Sequence, residues 1–442
     1  MFSLLTFFLF RLPPLETSDS ASYIEPAEHW KASHQIRLSM GRAPLYCLYH
    51  IALSALVNKI GPDFKRFSVD IMTVLYLQAI FFLCLAIKKY QGNLQSLLIL
   101  LIFLLDRWNH AWIRSVMTEG LVTVLMIYWL IFFILSYLRR GEMIWLYLMA
   151  FSASMAYLTR EAASPVLFVT LIWACLILRG WVQPLLGKRV KFLILFLSLL
   201  ILPASSWIIY NKMVNGYLGV SARGLTHISG RVIPLARISE IKNWGSREDL
   251  FRPMTEELTQ KYHREKPSND KNSSGTFYAP LFRREPFDYL YQKLKEENPH
   301  ASEAEALKLV KEISDICFMS NIRENVSVFS RIFVEYLTLP LIANVWGEGK
   351  RLINYMGYVI VIFSIIFFIF QRRNSDVHTC FFLGIPVIFL ILYWSLCSFT
   401  YFYHPRYATL FNFLPYATGI VFIGKNRFLF RAGKDCRGSK IG

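Results

Sequence analysis

The sequence is poor in charge, and it lacks the short patterns that mark many common enzyme sites. Charged residues make up 18% of its 442 positions and hydrophobic residues 55%, whereas soluble proteins have about 25% and about 45–50%. No Walker loop, dinucleotide-binding glycine pattern, HExxH or CxxC pair occurs. Chemistry on soluble nucleotides, on zinc or on paired thiols therefore has no support. The seven cysteines lie mostly in apolar runs and indicate no disulfide framework.

Long apolar runs are what the sequence has instead. Several approach the roughly 20 residues that a helix needs to cross a bilayer. The N-terminal run, 2–10, is too short to span on its own. Counting it, we predict an all-α, multi-pass membrane protein of about ten transmembrane helices with both chain ends in the cytoplasm. The other predicted runs are 68–87, 94–112, 119–138, 143–159, 162–179, 191–211, 352–371, 378–399 and 407–424.

The distribution of the net charge of +18 along the chain matches the predicted membrane topology. The long polar segment 212–330 is nearly balanced, with 18 basic and 16 acidic residues. The basic excess therefore lies on short loops between apolar runs, as the positive-inside rule expects. We place these loops in the cytoplasm and predict no nucleic-acid partner. They carry Lys88-Lys89, Arg139-Arg140, Lys188-Arg189-Lys191, Arg372-Arg373 and Lys425/Arg427.

One apolar stretch, 44–60, conflicts with this topology, because a span there would move every later basic cluster to the opposite side. We interpret it as an interfacial helix on the outer surface. Residues 328–346 are interpreted as a second such helix, and Ser302 to Glu305 as a capping box that opens a helix toward residue 320. The predicted domains are a catalytic membrane module 1–211 with its first outer loop 13–67, an outer domain 212–346, and C-terminal helices with a tail, 347–442.

This topology gathers ionisable residues at the outer ends of helices. Charges at membrane depth are costly and usually functional, although any one of them could be a snorkelling residue or part of a local ion pair. A carboxylate there could take a proton from a sugar acceptor, and arginines could hold a leaving lipid phosphate. Asp19 suits the first role, and Arg42, Arg160 and Arg406 suit the second. The wider group is Asp19, Arg42, Asp106, Arg107, His110, Arg114, Glu119, Arg160-Glu161, His404 and Arg406.

The order of short motifs resembles a known family. Asp19-x-x-x-Tyr23 follows the short first run, and a basic residue, Arg42, precedes Pro-Leu-Tyr. Thr118-Glu119 then opens a span, Thr159-Arg160 lies between spans, and the chain closes with His404-Pro-Arg406-Tyr407. This pattern resembles the GT-C glycosyltransferases, in particular the bacterial group similar to dolichyl-phosphate-mannose–protein mannosyltransferases and aminoarabinose transferases.

The resemblance implies a GT-C-type helical bundle that moves a sugar from a polyprenyl-phosphate donor to an extracytoplasmic lipid, glycan or protein, with inversion. It implies a bacterial inner membrane location. Asp19 and Glu119 take the positions of the family's acids, and Arg42 replaces a phosphate-binding lysine. Tyr23, His404 and Tyr407 are expected near the sugar and acceptor. The family often has Asp-Glu where this chain has Asp19-Ser20, which leaves open both the use of a divalent metal and the second acid. We therefore assign no required cofactor.

Two other functions fit parts of the same pattern. An O-antigen ligase or polymerase also has many spans and a large outer loop, but its key arginines would lie in the long loop. A lipid or polysaccharide transporter, which is not an enzyme, would need charged or Gly/Pro-broken helices near the middle of the bilayer.

Overall fold

The computed structural model describes residues 1–17, 19–38, 42–57, 60–139, 142–179, 186–233, 235–265, 285–338, 377–400, 411, 413–415 and 417–422. In these ranges the regular structure is helical and no strand occurs beyond one isolated bridge. The helices are α1 Phe2–Arg11, α2 Ser20–Ser33, α3 Pro44–Ser54, α4 Pro62–Gln91, α5 Asn93–Leu105, α6 Arg107–Ile113, α7 Thr118–Leu138, α8 Ile144–Thr159, α9 Pro165–Arg179, α10 Leu186–Asn215, α11 Arg223–Val232, α12 Glu248–Glu265, α13 Glu285–Glu297, α14 Glu303–Ser320, α15 Ile322–Thr338 and α16 Val377–Thr400.

Four of the described helices are long and apolar enough to cross a membrane, namely Asp63–Gln91, Thr118–Leu138, Glu161–Leu178 and Val190–Asn215. Shorter apolar helices accompany them at Phe2–Arg11, Asn93–Leu105, Ile144–Thr159, Phe381–Cys397 and Phe413–Phe422. The prediction of an all-α, multi-pass membrane protein is confirmed. The predicted run 352–371 lies outside the described residues.

One predicted helix is divided in the structure and another is shorter than predicted. The run 94–112 is divided, because α5 ends at Leu105 and the Asp106 side chain caps the separate helix α6. The stretch 44–60 forms α3, which begins at Pro44 as predicted but ends at Ser54. At 11 residues α3 is about 16 Å long, roughly half the hydrocarbon thickness of a bilayer.

Helix α7 forms the centre of the membrane bundle. Most of its side chains are buried, including Trp129 and Phe133. The Phe133 ring stacks on Phe382 of α16, with 5.0 Å between ring centroids. The indole of Trp129 donates a hydrogen bond to Thr170 of α9. Because α7 is held on several sides, its first turn, which carries Glu119, has a fixed place at one end of the bundle.

Helices α11 to α14 form a second hydrophobic core, which includes Phe251, Leu290 and Val310. The end of α10 holds the chain that enters this core. There the Asn211 side chain, which is fully buried, donates to the carbonyl of Gly219 at 2.8 Å. This anchor ties the segment that leads to helices α11 to α14 to the long helix α10.

Candidate active site

The first part of the site is built where α2 and α3 begin. Asp19 directly precedes α2, Tyr23 lies one turn inside it, and Arg42 stands just before α3. The Arg42 guanidinium donates to Asp19 Oδ1 at 3.1 Å and to the Tyr23 hydroxyl at 3.0 Å. It also lies 4.4 Å from the centre of the Tyr23 ring. The structure therefore brings three predicted site residues together.

Local sequence explains why Arg42 is well placed. Pro44 occupies the first turn of α3, where its missing N–H costs nothing and its fixed φ suits a helix. The preceding Ala43 is extended, with ψ 139°, as a residue before proline prefers. Arg42 is 8% exposed, whereas the Asp19 side chain is 20% exposed. The carboxylate is thus the more accessible member of the pair.

The second part of the site joins the start of α7 to the end of α8. Arg160 follows the last residue of α8 and forms an ion pair with Glu119 at 2.7 Å. Thr118 lies between them: it accepts from Arg160 at 3.4 Å and donates to the other Glu119 oxygen at 3.2 Å. Glu119 is fully buried. An acid in the first turn of one helix and a cation at the end of another both suit the helix dipoles.

Tyr46 of α3 connects the two parts. Its ring packs edge-on against Tyr23, with 5.3 Å between ring centroids. Burial raises the Tyr46 pKa well above its usual value, and the nearby Tyr49, Tyr23 and Glu119 raise it further. The phenol is therefore neutral, and it lies near Tyr23 of the first part and near Glu119 of the second. Sequence reasoning did not assign Tyr46 to the site, although the Pro-Leu-Tyr motif contained it.

A buried histidine, His50, packs against Tyr46. The His50 ring contacts Tyr46 with 4.6 Å between ring centroids, and its Nδ1 lies 3.2 Å from the Ser68 hydroxyl of α4. Burial lowers the His50 pKa to about 3, so the ring is neutral at physiological pH. His50 thus fixes α3 against α4 without adding charge.

Three other ionisable residues of the predicted group have structural partners. Asp106 accepts from the backbone of Asn109 at the start of α6. The His110 ring lies 2.7 Å from the carbonyl of Phe103, and Arg114 pairs with Asp70 of α4. These contacts favour the local-ion-pair interpretation for Arg114 and give Asp106 and His110 local hydrogen-bond partners. The predicted site residues His404, Arg406 and Tyr407 lie outside the described residues.

The arrangement provides carboxylates and cations side by side, without a preformed metal cluster. Across the described ranges, no three His, Cys, Asp or Glu side chains are grouped so that they could hold a metal ion. The guanidinium of Arg42 has more N–H groups than its bonds to Asp19 and Tyr23 use. Chemically, the site can bind an anion next to a carboxylate that accepts protons.

Comparison with known proteins gives only distant similarity. No family model matches the sequence, and no curated protein matches it significantly. Two solved structures are similar to it: ArnT from Cupriavidus metallidurans bound to undecaprenyl phosphate (11% identity, TM-score 0.36) and the same protein in the apo state (12% identity, TM-score 0.38). Each alignment covers 96% of this chain and 76% of the other. Identity and TM-score are low, and the comparison assigns no role to any residue.

Proposed function

We propose that this protein is an inverting glycosyltransferase that moves a sugar from a polyprenyl-phosphate donor to an acceptor on the extracytoplasmic side of the membrane. The observation that carries the proposal is the presence of two ion pairs, Asp19–Arg42 and Glu119–Arg160. Tyr46 packs against Tyr23, a partner of Arg42, and interacts electrostatically with Glu119. The motif order that resembles GT-C glycosyltransferases supports the same reaction.

Charge balance explains why Asp19 and Arg42 are paired. In an inverting transfer, the acceptor oxygen attacks the anomeric carbon while the bond from that carbon to the phosphate oxygen breaks. The departing phosphate gains one negative charge, and the acceptor loses a proton. If Asp19 takes that proton, its charge is neutralised and Arg42 loses its partner. The Arg42 charge is then available to the phosphate as the phosphate becomes more negative, which stabilises the transition state.

The remaining residues have supporting roles in this proposal. Arg160 supplies a second cation near the phosphate, and Arg406 remains a predicted third one. Glu119 holds Arg160 and, with Tyr23 and Tyr46, lines the place of the transferred sugar. His404 and Tyr407 remain predicted acceptor-side residues. The outer helices α11 to α14 would lie over the site and influence the choice of acceptor.

The alternative functions gain no specific support. In the described part of the outer helices, Arg237 and Arg252 form exposed ion pairs with nearby glutamates, which does not favour a ligase that uses loop arginines. The helices that contain Pro203 and Pro386 continue through these residues, whereas transporter sites are typically built on broken helices.

Purified protein in lipid nanodiscs tests the proposal. It would be incubated with undecaprenyl phosphate carrying single sugars (a hexose panel and aminoarabinose) and with a bacterial envelope lipid extract as the acceptor. We expect release of undecaprenyl phosphate and a glycosylated lipid, both detected by mass spectrometry. Failure to release undecaprenyl phosphate from any donor, with protein that remains folded, would contradict the proposal.

A further inference from the structure

The chain segments that lead to the two site carboxylates are paired with each other. The Leu15 amide donates to the carbonyl of Arg114 at 2.8 Å, and the Val116 amide donates to the carbonyl of Leu15 at 3.2 Å. The resulting bridge, between Leu15 and Ser115, is parallel. Both segments therefore run in the same direction from the bridge.

The two carboxylates lie the same number of residues after the bridge. Asp19 follows Leu15 by four residues, and Glu119 follows Ser115 by four residues. The two acids otherwise belong to parts of the chain that are far apart in sequence. The bridge thus provides a short connection between the two segments that carry them.

The Arg114 side chain holds the bridge in place. It is 2% exposed, and its Nε donates to the carbonyl of Leu12, just after α1, at 2.9 Å. Its Nη1 donates both to Asp70 and to Thr73 of α4, the latter at 3.2 Å. The Arg114 guanidinium therefore links the segment before α7 to the end of α1 and to the side of α4. A planar group with several fixed donors can make all these bonds at once, which a lysine cannot.

We propose that Arg114 is a positioning residue that sets the separation of Asp19 and Glu119 through the bridge between Leu15 and Ser115. It acts through the backbone, because its side chain bonds go to Leu12, Asp70 and Thr73. The proposal rests on the proposed glycosyl transfer, in which both acids contribute to one reacting centre. Misplacement of a reacting group by about 1 Å can lower a rate by about 100-fold.

The test compares Arg114→Ala, Arg114→Lys and Asp70→Asn with a matched control, Arg66→Ala. Arg66 is 73% exposed and lies 4.0 Å from Asp70, so it shares the partner but not the buried bonds. Turnover is measured in nanodiscs with the undecaprenyl-phosphate sugar that the wild type uses fastest. Affinity for undecaprenyl phosphate alone and amide hydrogen exchange of the peptides that contain Leu15 and Val116 are measured in parallel.

We expect Arg114→Ala to lower kcat by about 100-fold, to leave KM and undecaprenyl phosphate affinity within about twofold, and to speed exchange at the two bridge amides. Arg114→Lys and Asp70→Asn should fall between this variant and the wild type. Arg66→Ala should match the wild type in every measurement. If Arg114→Ala does not fold, the two milder variants decide the question by the same measurements.

Normal kcat per folded molecule in the Arg114 variants would overturn the proposal, as would a lower kcat with unchanged exchange at the bridge. Different results would contradict the glycosyltransferase proposal and the Arg114 proposal. If the wild type turns over none of the donors, the glycosyltransferase proposal fails. Unchanged exchange at the bridge in an Arg114 variant instead shows that Arg114 does not hold it, whatever the reaction is.

Discussion

At the scale of residues, the described arginines of the site are paired with carboxylates, an arrangement that the sequence left open but whose partners it did not identify. Asp19 and Arg42 were predicted as separate groups, a base and a phosphate ligand, and the structure shows them in contact. Motif order could predict both positions, because each motif is local. Their pairing could not be predicted, since it depends on how α2 and α3 fold back on each other.

Arg42→Ala should lower kcat by about 10²–10³, the loss seen when one preorganised donor to a developing anion is removed. Arg42→Lys should recover only part of the rate, because an ammonium cannot bond to two oxygens in the plane of a guanidinium. Turnover per folded molecule measures the effect, with Arg252→Ala on the outer helices as an exposed control. Normal specific activity of purified Arg42→Ala would rule out the phosphate role.

Variants of the buried Glu119–Arg160 pair can distinguish an effect on stability from an effect on activity. Glu119→Gln leaves the Arg160 charge inside the protein without its carboxylate, and breaking a buried pair in this way costs about 3–5 kcal/mol. The double variant Glu119→Gln/Arg160→Met removes that charge and should regain most of the stability. It should remain inactive, because the second cation is lost. Thermal unfolding in nanodiscs and turnover are the measurements, and a double variant with wild-type turnover would refute the role of Arg160.

At the scale of elements, the sequence predicts a helix end well when the residues that fix that end are close together in sequence. The capping box was predicted at Ser302 and is present, since the Ser302 hydroxyl accepts from the Glu305 amide and the Glu305 side chain accepts from the Ser302 amide. The prediction of a helix from there toward residue 320 is confirmed by α14, Glu303–Ser320. Both hydrogen bonds join residues three apart, so the sequence alone contains the information.

Helix ends that depend on contacts with distant parts of the chain were predicted less well. Helix α3 stops at Ser54 because Lys31 of α2 donates to the carbonyls of Ser54 and Val57, at 3.0 and 2.6 Å. Helix α2 lies in the predicted first outer loop, 13–67, where only 44–60 was expected to be helical. Its serines and Pro26 are residues that favour turns. Helix α15, expected from residue 328, begins at Ile322. In each case, partners distant in sequence or the packing of a neighbouring helix decide the outcome.

Ser302→Ala should destabilise the outer helices by about 1 kcal/mol, the usual cost of losing an N-cap side chain. The effect should stay within α11 to α14, because α14 belongs to their separate core. Hydrogen exchange of peptides from α14 measures it, with Ser395→Ala in α16 as a control, since that hydroxyl bonds only within its own helix. Equal protection of α14 in the variant and the wild type would show that the cap contributes nothing.

At the scale of the whole molecule, the decisive property is which end of the bundle carries the site. Helix α4 has 30 residues, about 45 Å at 1.5 Å per residue, which is enough to cross the bilayer. Its first turn contains Asp63, near the site elements α2 and α3, and its last turn contains Lys88 and Lys89. From the positive-inside rule we expect the lysine end in the cytoplasm and the site outside.

Single cysteines at opposite ends of α4 test this topology. In a background without native cysteines, Asp63→Cys should react with a membrane-impermeant maleimide in intact cells. Lys89→Cys should react only after the membrane is permeabilised. Both side chains are exposed in the structure, so access depends on sidedness. Labelling of Lys89→Cys alone in intact cells would place the site on the cytoplasmic side.

The most direct test of the account is the behaviour of Asp19→Asn in two assays with the same preparation. The amide can still accept a bond from Arg42 but cannot take a proton from an acceptor, so turnover should fall by about 10²–10⁴. Because the Arg42 charge is then no longer balanced by Asp19, affinity for undecaprenyl phosphate should be equal to or higher than that of the wild type. Turnover close to wild type, or loss of undecaprenyl phosphate binding in a folded variant, would contradict the proposed transfer of charge between Asp19, Arg42 and the phosphate.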